Sequence, residues 1–395
     1  MRIGIDCLRV DPTYVGGLNT YVFGLLDGLA AVGGSDDFRV YVTSANCHLF
    51  AKHREQFELE VIADRSFPVR RLLCRATLLA GSQQFHNLSS DLLMRRIREK
   101  MDAESDVIYT PTVALLFFDH CKPTLLSMHD IQHLHYPEFF SWPRRLSRRI
   151  TYGLSAFHAD YFQASSDFIK RDMLAHFPQI SEDRIAVIPE GVNIQDFSIR
   201  RDSSKLFNSY QLDERFLFLP AQLWPHKNHL RVLRALKRIE ERSGIRIPLI
   251  LTGAGYSAVS DVLRFVAEQS MSYVRYLGRV PFGDLVGLYQ SASFLISPGL
   301  YESNSLPVLE AAAAGTPIIA SAIPPNQELA STMHLNLFDP YNEDELSHLI
   351  FRLWQDNEIG ARQAAHNRAA VCQYSWENAA LKYLELFSRI ASSAA

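Results

Sequence analysis

Two carboxylates with seven residues between them, Glu302 and Glu310, lie in the segment Ser297-Pro-Gly-Leu-Tyr-Glu-Ser-Asn-Ser-Leu-Pro-Val-Leu-Glu310, which continues to Gly315-Thr-Pro317. A strand-like run ends at Ser297 and a loop of small polar residues follows. A helix is expected from near Leu306, with Ser305 as its cap, Pro307 in its first turn, and Gly315 and Pro317 as its stop. The free N–H groups at that helix start, with the positive end of the helix dipole, suit a diphosphate. A carboxylate beside a diphosphate repels it, unless it is there to accept hydrogen bonds from hydroxyls. Glu302 therefore suits a sugar and Glu310 a ribose. From residue types alone the plainer account carries more weight: a helix-dipole partner and a solvated loop acid.

Lys227, in Pro220-Ala-Gln-Leu-Trp-Pro-His-Lys-Asn-His229, follows another strand and opens a helix. A lysine there can neutralise a leaving diphosphate, a task left to side chains because the sequence has no Asp-x-Asp to hold a divalent cation. Met128-His-Asp-Ile-Gln-His-Leu-His-Tyr-Pro-Glu138 sits where α/β enzymes bind ligands, at the carboxyl edge of a strand. His129, His133 and His135 with Asp130 could in principle satisfy zinc. Their spacing is not that of a helical zinc motif and no second cluster supports it, so no metal site is expected. Gly16 and Gly17, Gly253 in Thr252-Gly-Ala-Gly255, and Arg279 in Leu277-Gly-Arg-Val280 complete the candidates. Each is a weak signal alone.

Short β-rich runs at 2–6, 38–43, 106–110, 124–128, 161–164 and 185–189 alternate with helical patterns, and a second series runs through 216–219, 248–252, 274–277, 293–297 and 317–321. That alternation implies two doubly wound parallel sheets. The turn-rich Pro189-Glu-Gly-Val-Asn-Ile-Gln-Asp-Phe197 and the polar Arg200-Arg-Asp-Ser-Ser204 suit a hinge. The expected domains are residues 1–198 and 199–375. The amphipathic pattern from Trp376 to Ile390, within a closing segment 376–395, either completes the second domain or crosses back onto the first.

A chain of 395 residues has room for two cores, and a composition 47% apolar and 21% charged with net charge −3 gives no general reason to expect nucleic acid. Five scattered cysteines without Cys-x-x-Cys argue against a disulfide framework and a thiolate metal site. The strand-like start leaves no room for a signal peptide, and no apolar run reaches membrane-spanning length, so a cytoplasmic protein is expected. Residues 64–100 carry eight basic and three acidic side chains. With Arg144, Arg145, Arg148 and Arg149 they could press the chain onto anionic lipid at the inner face of the membrane, or simply form a solvated face.

The segment from Glu302 to Pro317 resembles the Glu-x7-Glu motif of the retaining family 4 glycosyltransferases, usually Glu-Gly-Phe-Gly-Leu-Pro-x-x-Glu-Ala-x-Ala-x-Gly-x-Pro. Leu306, Pro307, Glu310, Ala311, Gly315 and Pro317 match, while Ser303, Asn304 and Ser305 replace Gly-Phe-Gly. Gly16 and Gly17, His129 and Lys227 follow in the family's order, and Gln222 stands where the family commonly has arginine. The resemblance implies a GT-B fold, two Rossmann-like domains facing across a cleft, with nucleotide sugar on the second and acceptor on the first. It implies that Glu302, His129 and Lys227 are catalytic. Gly16, Gly17, Gln222, Gly253, Arg279, Ser303, Asn304, Ser305, Leu306 and Glu310 would bind the donor, and Asp130 and His133 the acceptor. His226 and Asn228 would compensate for the missing arginine charge.

The function so implied is metal-independent retaining transfer of a hexose from a nucleoside-diphosphate sugar to a hydroxyl of a lipid-linked glycan, in surface polysaccharide assembly. No cofactor is needed beyond that co-substrate. The His-Asp and Pro-His-Lys-Asn-His segments look like those of enzymes using GDP-mannose, which favours a GDP-sugar over a UDP-sugar. A UDP-sugar transferase, a GT-B nucleotide-sugar epimerase and a noncatalytic sugar- or lipid-binding module are the alternatives. A dinucleotide-dependent oxidoreductase would need Gly-x-Gly-x-x-Gly after the first strand, and it is absent.

Overall fold

The computed structural model describes residues 1–13, 16–34, 36–63, 83–199 and 204–393, and of residues 83–93 and 357 the backbone alone. Val15 and most of the basic 64–100 stretch lie outside the described residues. The chain forms two compact units, one of Met1–Glu190 with Trp376–Ala395 and one of Gly191–Ser375.

Unit 1 is built on a parallel sheet of β1 (Arg2–Asp6), β2 (Asp37–Thr43), β3 (Glu58–Ile62), β4 (Val107–Thr110), β5 (Thr124–Ser127), β6 (Tyr161–Ala164) and β7 (Ile185–Val187), in the order β3-β2-β1-β4-β5-β6-β7. β4 and β5 are buried at every residue, as strands covered on both faces must be, and this is why their sequences, Val-Ile-Tyr-Thr and Thr-Leu-Leu-Ser, lack the apolar-polar alternation of a half-exposed strand. The helix Gly17–Val32 buries Tyr21, Val22, Leu25, Leu26 and Leu29, a stripe at helical spacing. Against it packs the closing helix Trp376–Ser393, which crosses back and belongs to unit 1. A buried hydroxyl cluster fixes their relation: Tyr21 Oη lies 2.6 Å from Tyr109 Oη and 2.9 Å from Ser127 Oγ, and it also meets Tyr383 Oη.

Unit 2 repeats the plan with β8 (Leu217–Pro220), β9 (Leu249–Thr252), β10 (Val274–Tyr276), β11 (Phe294–Ser297), β12 (Ile318–Ser321) and β13 (Asn336–Phe338), all parallel, ordered β10-β9-β8-β11-β12-β13. The chain enters this unit by Gly191, ahead of the 198/199 boundary drawn from sequence. The physical reason is that Val192 N–H donates to Tyr374 O at 2.8 Å, and Phe197 is buried beside the rings of Phe282 and Tyr289.

In both sheets the connections reverse direction once, between β1 and β4 and between β8 and β11. Crevices at such reversal points, outside the carboxyl ends of the strands, are where doubly wound sheets bind ligands. The candidate residues sit on the loops and helices that follow β1, β5, β8, β9, β10 and β11.

Candidate active site

The turn after β8 and the loop after β11 are laced together by backbone before any charged group is considered. Pro225–Lys227 forms a single 3-10 turn, and Asn228 then takes the left-handed conformation (φ 57°) that starts the helix His229–Ser243. Asn228 Nδ2 donates to Pro298 O at 3.2 Å and Pro340 O at 3.0 Å, while Leu300 N–H donates to His226 O at 2.8 Å. Asn228 is thus a clamp between loops. Of the two residues expected to make up for a missing arginine charge, Asn228 has its side-chain amide committed to these carbonyls, and His226 lends its backbone carbonyl to the lacing.

The lacing brings Lys227 onto Glu302. Nζ donates to Oε1 at 2.6 Å and Oε2 at 2.8 Å, with side chains 21% and 13% exposed. Ala221, Lys227, Pro298, Gly299, Glu302 and Pro307 line one small cleft. Gly299 makes room for the carboxylate, since a Cβ there would lie 2.7 Å from Glu302 Oε1.

The helix Leu306–Ala314 begins and ends as expected, with Ser305 at its cap position and Gly315 left-handed at its end. The Ser305 hydroxyl, however, does not cap it. Ser305 Oγ donates to Asn326 Oδ1 at 2.5 Å, Asn326 Nδ2 donates to Ser321 O at 2.8 Å, and Ser321 Oγ donates to Gly299 O at 2.6 Å. All three side chains are buried, and this chain of bonds spans the loop that carries Glu302. The hydroxyl is diverted because Asn326, brought close by the helix Pro324–Leu329, would otherwise be a buried amide short of a partner. Asn304 is buried and Leu306 N–H donates to its carbonyl at 3.0 Å, while Ser303 is partly exposed.

Glu310 is one helical turn further on. Tyr289 Oη donates to its Oε2 at 2.5 Å, and burial pushes its carboxyl up to about 7 against the opposing pull of that bond. Around the same strand ends, Gly253 N–H donates to Gly278 O at 2.8 Å and its φ is 126°. A Cβ there would meet Ala221 O at 2.5 Å, so only glycine lets the turns after β8 and β9 approach. Gln222 Oε1 accepts from Trp224 Nε1 at 3.0 Å, and Trp224 stacks on Tyr256 at 4.0 Å. Arg279 is exposed after β10 and does not line the Lys227 cleft.

In unit 1, Gly16 precedes the helix Gly17–Val32 in extended conformation, and nothing lies within 4 Å of where a Cβ on Gly17 would be. His129 is buried, its Nε2 2.9 Å from Pro111 O, its Nδ1 3.8 Å from the buried Glu190 and its ring edge-on to Tyr21 at 4.3 Å. Asp130 accepts from Arg148 Nη1 at 3.1 Å and from Gln132 N–H at 3.2 Å. His133 is buried edge-on to Tyr152 at 5.0 Å, and burial, with Arg148 nearby, lowers its pKa to about 4. His135 turns away to Asp172. The three histidines of this segment therefore go to three different environments. Glu190, Gly299, Ser321, Asn326 and Tyr289 were missed, since each is fixed by a contact with no local sequence pattern.

Two Rossmann units, the second with a lysine and a glutamate meeting at its reversal point, define the class of GT-B glycosyltransferases. Solved structures share the fold. An Anabaena protein, Alr3699/HepE, crystallised with UDP and glucose, superposes with TM-score 0.75 at 19% identity over 98% of this chain and 100% of its own. A sucrose-phosphate synthase from Thermosynechococcus elongatus gives TM-score 0.75 at 18% identity over 99% of both chains. The chain belongs to the family 4 glycosyltransferases: residues 15–196 match the family model Glycosyltransferase Family 4 and residues 202–370 match Glycosyl transferases group 1. The O-antigen chain mannosyltransferase B of Escherichia coli is 24% identical over 379 residues, which cover 84% of this chain and 96% of that protein.

Proposed function

We propose that this glycosyltransferase moves mannose or a related hexose, with retention, from a GDP-sugar to a hydroxyl of a lipid-linked glycan during surface polysaccharide assembly. The observation that carries the reading is the meeting of Lys227 and Glu302 at the ends of β8 and β11. In the resting protein the two charges neutralise each other. Arrival of a donor gives each a better partner: Lys227 takes a diphosphate oxygen and Glu302 accepts from the sugar's hydroxyls. Ser303, Asn304 and Ser305 lie at the start of a helix whose positive end favours the diphosphate, while Leu306, its N–H turned to the Asn304 carbonyl, borders it by its side chain. Glu310 receives the ribose, and Gln222, Gly253 and Arg279 border the nucleotide. Gly16 and Gly17 leave space for donor or acceptor, His129 positions the transferred sugar, and Asp130 and His133 shape the acceptor side.

Departure of the nucleoside diphosphate leaves an oxocarbenium-like sugar, and Lys227 stabilises the negative charge building on the leaving phosphate. The acceptor hydroxyl attacks on the face the phosphate is leaving, and a phosphate oxygen takes its proton, which retains the anomeric configuration. In this scheme the lysine does the work a divalent cation does elsewhere, so turnover should need no added Mg2+ or Mn2+. The mannosyltransferase relative favours mannose, while the UDP and glucose in the Anabaena crystals support a UDP-sugar as the second reading.

Among the described residues no helix is long and apolar enough to cross a membrane. The helix Trp142–His158 exposes Trp142, Arg144, Arg149 and Phe157, a combination suited to peripheral contact with anionic lipid at the inner membrane face. Calorimetric titration with GDP and UDP, followed by transfer assays with GDP-mannose and UDP-glucose, tests the donor. Indifference to both nucleotides would remove the nucleotide-sugar reading. Turnover without an acceptor to a second nucleotide sugar would make it an epimerase.

A further inference from the structure

Outside the donor site, one cluster among the described residues has ligand chemistry that glycosyl transfer leaves unused. His135, Asp172 and His176 each direct a ligand atom toward the others, and these atoms all lie within 4.8 Å of one another. His135 Nε2 is 2.8 Å from both Asp172 oxygens, and His176 Nδ1, hydrogen-bonded to the Asp172 backbone carbonyl at 2.9 Å, is 3.2 Å from Asp172 Oδ1. Asp172 is buried while both imidazoles reach the surface. Asp172 and His176 are four residues apart on the helix Asp167–His176, hence one turn apart on one face. His135 arrives from the short helix Gln132–His135.

We propose that His135, Asp172 and His176 form a binding site for a divalent transition metal, with zinc the best fit. Around a tetrahedral zinc with bonds of about 2.0–2.2 Å, ligand atoms stand roughly 3.3–3.5 Å apart. The spacings here bracket that value, so modest side-chain rotation converts hydrogen bonds into coordination. Two imidazoles and one carboxylate suit zinc, cobalt or nickel better than magnesium or calcium, which prefer oxygen alone. The buried carboxylate supplies the compensating charge, and the exposed rings leave a fourth position to water. The site ties the segment carrying His129 to the helix after β6. It is thus a staple in unit 1, and it stands or falls independently of the donor reading.

The test uses the full chain without an affinity tag, stripped with a chelator and titrated with Zn2+ against a chromogenic competitor. One equivalent should bind, and bound Co2+ should show the visible absorption of a four-coordinate ion. His135→Gln and His176→Gln, both at surface positions that a folded chain tolerates, should each weaken binding at least about tenfold. Their circular dichroism should match the parent. Mg2+ and Ca2+ should not compete. Zinc should raise the thermal midpoint of the parent and leave that of the double variant unmoved. Parent binding no tighter than that of the double variant would overturn the proposal, as would Co2+ spectra unchanged by the substitutions.

Discussion

Lys227 and Glu302 join the ends of two strands that are neighbours in the sheet but far apart in sequence, the ammonium within 2.8 Å of both carboxylate oxygens. The lysine is held by backbone on one side of the reversal point and the glutamate on the other. A charge placed this firmly costs no reorganisation when a phosphate begins to leave. Lys227→Ala should therefore lower kcat/KM by about 100-fold or more, the range seen when a preorganised charge-stabilising donor is lost. Glu302→Gln should lower it comparably while nucleotide affinity holds, because Glu302 is assigned to the sugar. Steady-state kinetics with nucleotide titration checks both, and near-normal activity in the two variants would sink the assignment.

Gly299 gives a sharper probe, since it touches no substrate in this scheme. An alanine Cβ would lie 2.7 Å from Glu302 Oε1, so the carboxylate must move. A displacement near 1 Å of a positioning group can cost about 100-fold in rate. Gly299→Ala should then reduce kcat by at least about tenfold with the melting temperature nearly unchanged. A variant with parental kcat would show that the position of Glu302 does not govern the reaction.

Much of the fold was legible because parallel strands buried on both faces leave apolar runs. β1 and β6 coincide with the runs at 2–6 and 161–164, and β4, β5, β8, β9, β11 and β12 lie within a residue or so of theirs. β3 and β13 were not read. β3 is an edge strand whose Glu58-Leu-Glu-Val-Ile62 is largely unburied, and β13 has only Asn336–Phe338, so neither carries the continuous apolar signal. The site divides similarly. Lys227, Glu302 and Glu310 could be found because they occupy spaced motifs, whereas the Ser305–Asn326–Ser321–Gly299 chain depends on contacts between separate loops. The histidine-rich segment shows the same division: His129, His133 and His135 are close in sequence, while His135 meets Asp172 and His176 of the helix Asp167–His176, a contact with no local pattern.

Glu310 links the site to pH. Its carboxyl is pushed from an ordinary 4.5 up to about 7, so between those values the folded chain holds a proton that the unfolded chain has released. Stability from this group is complete below about 4.5 and declines as pH rises through 7, by as much as about 3 kcal/mol. His133 and His229, both lowered to about 4 by burial, act oppositely and weaken the fold as pH falls below 6.5. Denaturant unfolding of the parent and Glu310→Gln at pH 5 and pH 8 separates the two effects. The parent should lose relative to the variant at pH 8, and parallel pH profiles would refute the assignment.

The closing helix Trp376–Ser393 offers a stability test away from the chemistry. Gly24 and Gly28 stand one turn apart on the helix Gly17–Val32, and a Cβ on either would strike Trp376. At Gly24 the obstacle is the indole ring, which can yield; at Gly28 it is the Trp376 backbone carbonyl, which cannot without moving the helix. Gly-to-Ala in an unobstructed helix normally gains about 0.5–1 kcal/mol. Here overpacking should reverse the sign, with a net loss of about 1–3 kcal/mol for Gly28→Ala and less for Gly24→Ala. Because Tyr383 of the same helix meets Tyr21, Tyr109 and Ser127 in the core, displacement at Gly28 should also loosen that hydroxyl cluster. Chemical denaturation gives the order of the two variants, and amide exchange on residues 376–393 reports the helix directly. A Gly28→Ala chain as stable as the parent, with unchanged protection there, would mean the close approach is not needed.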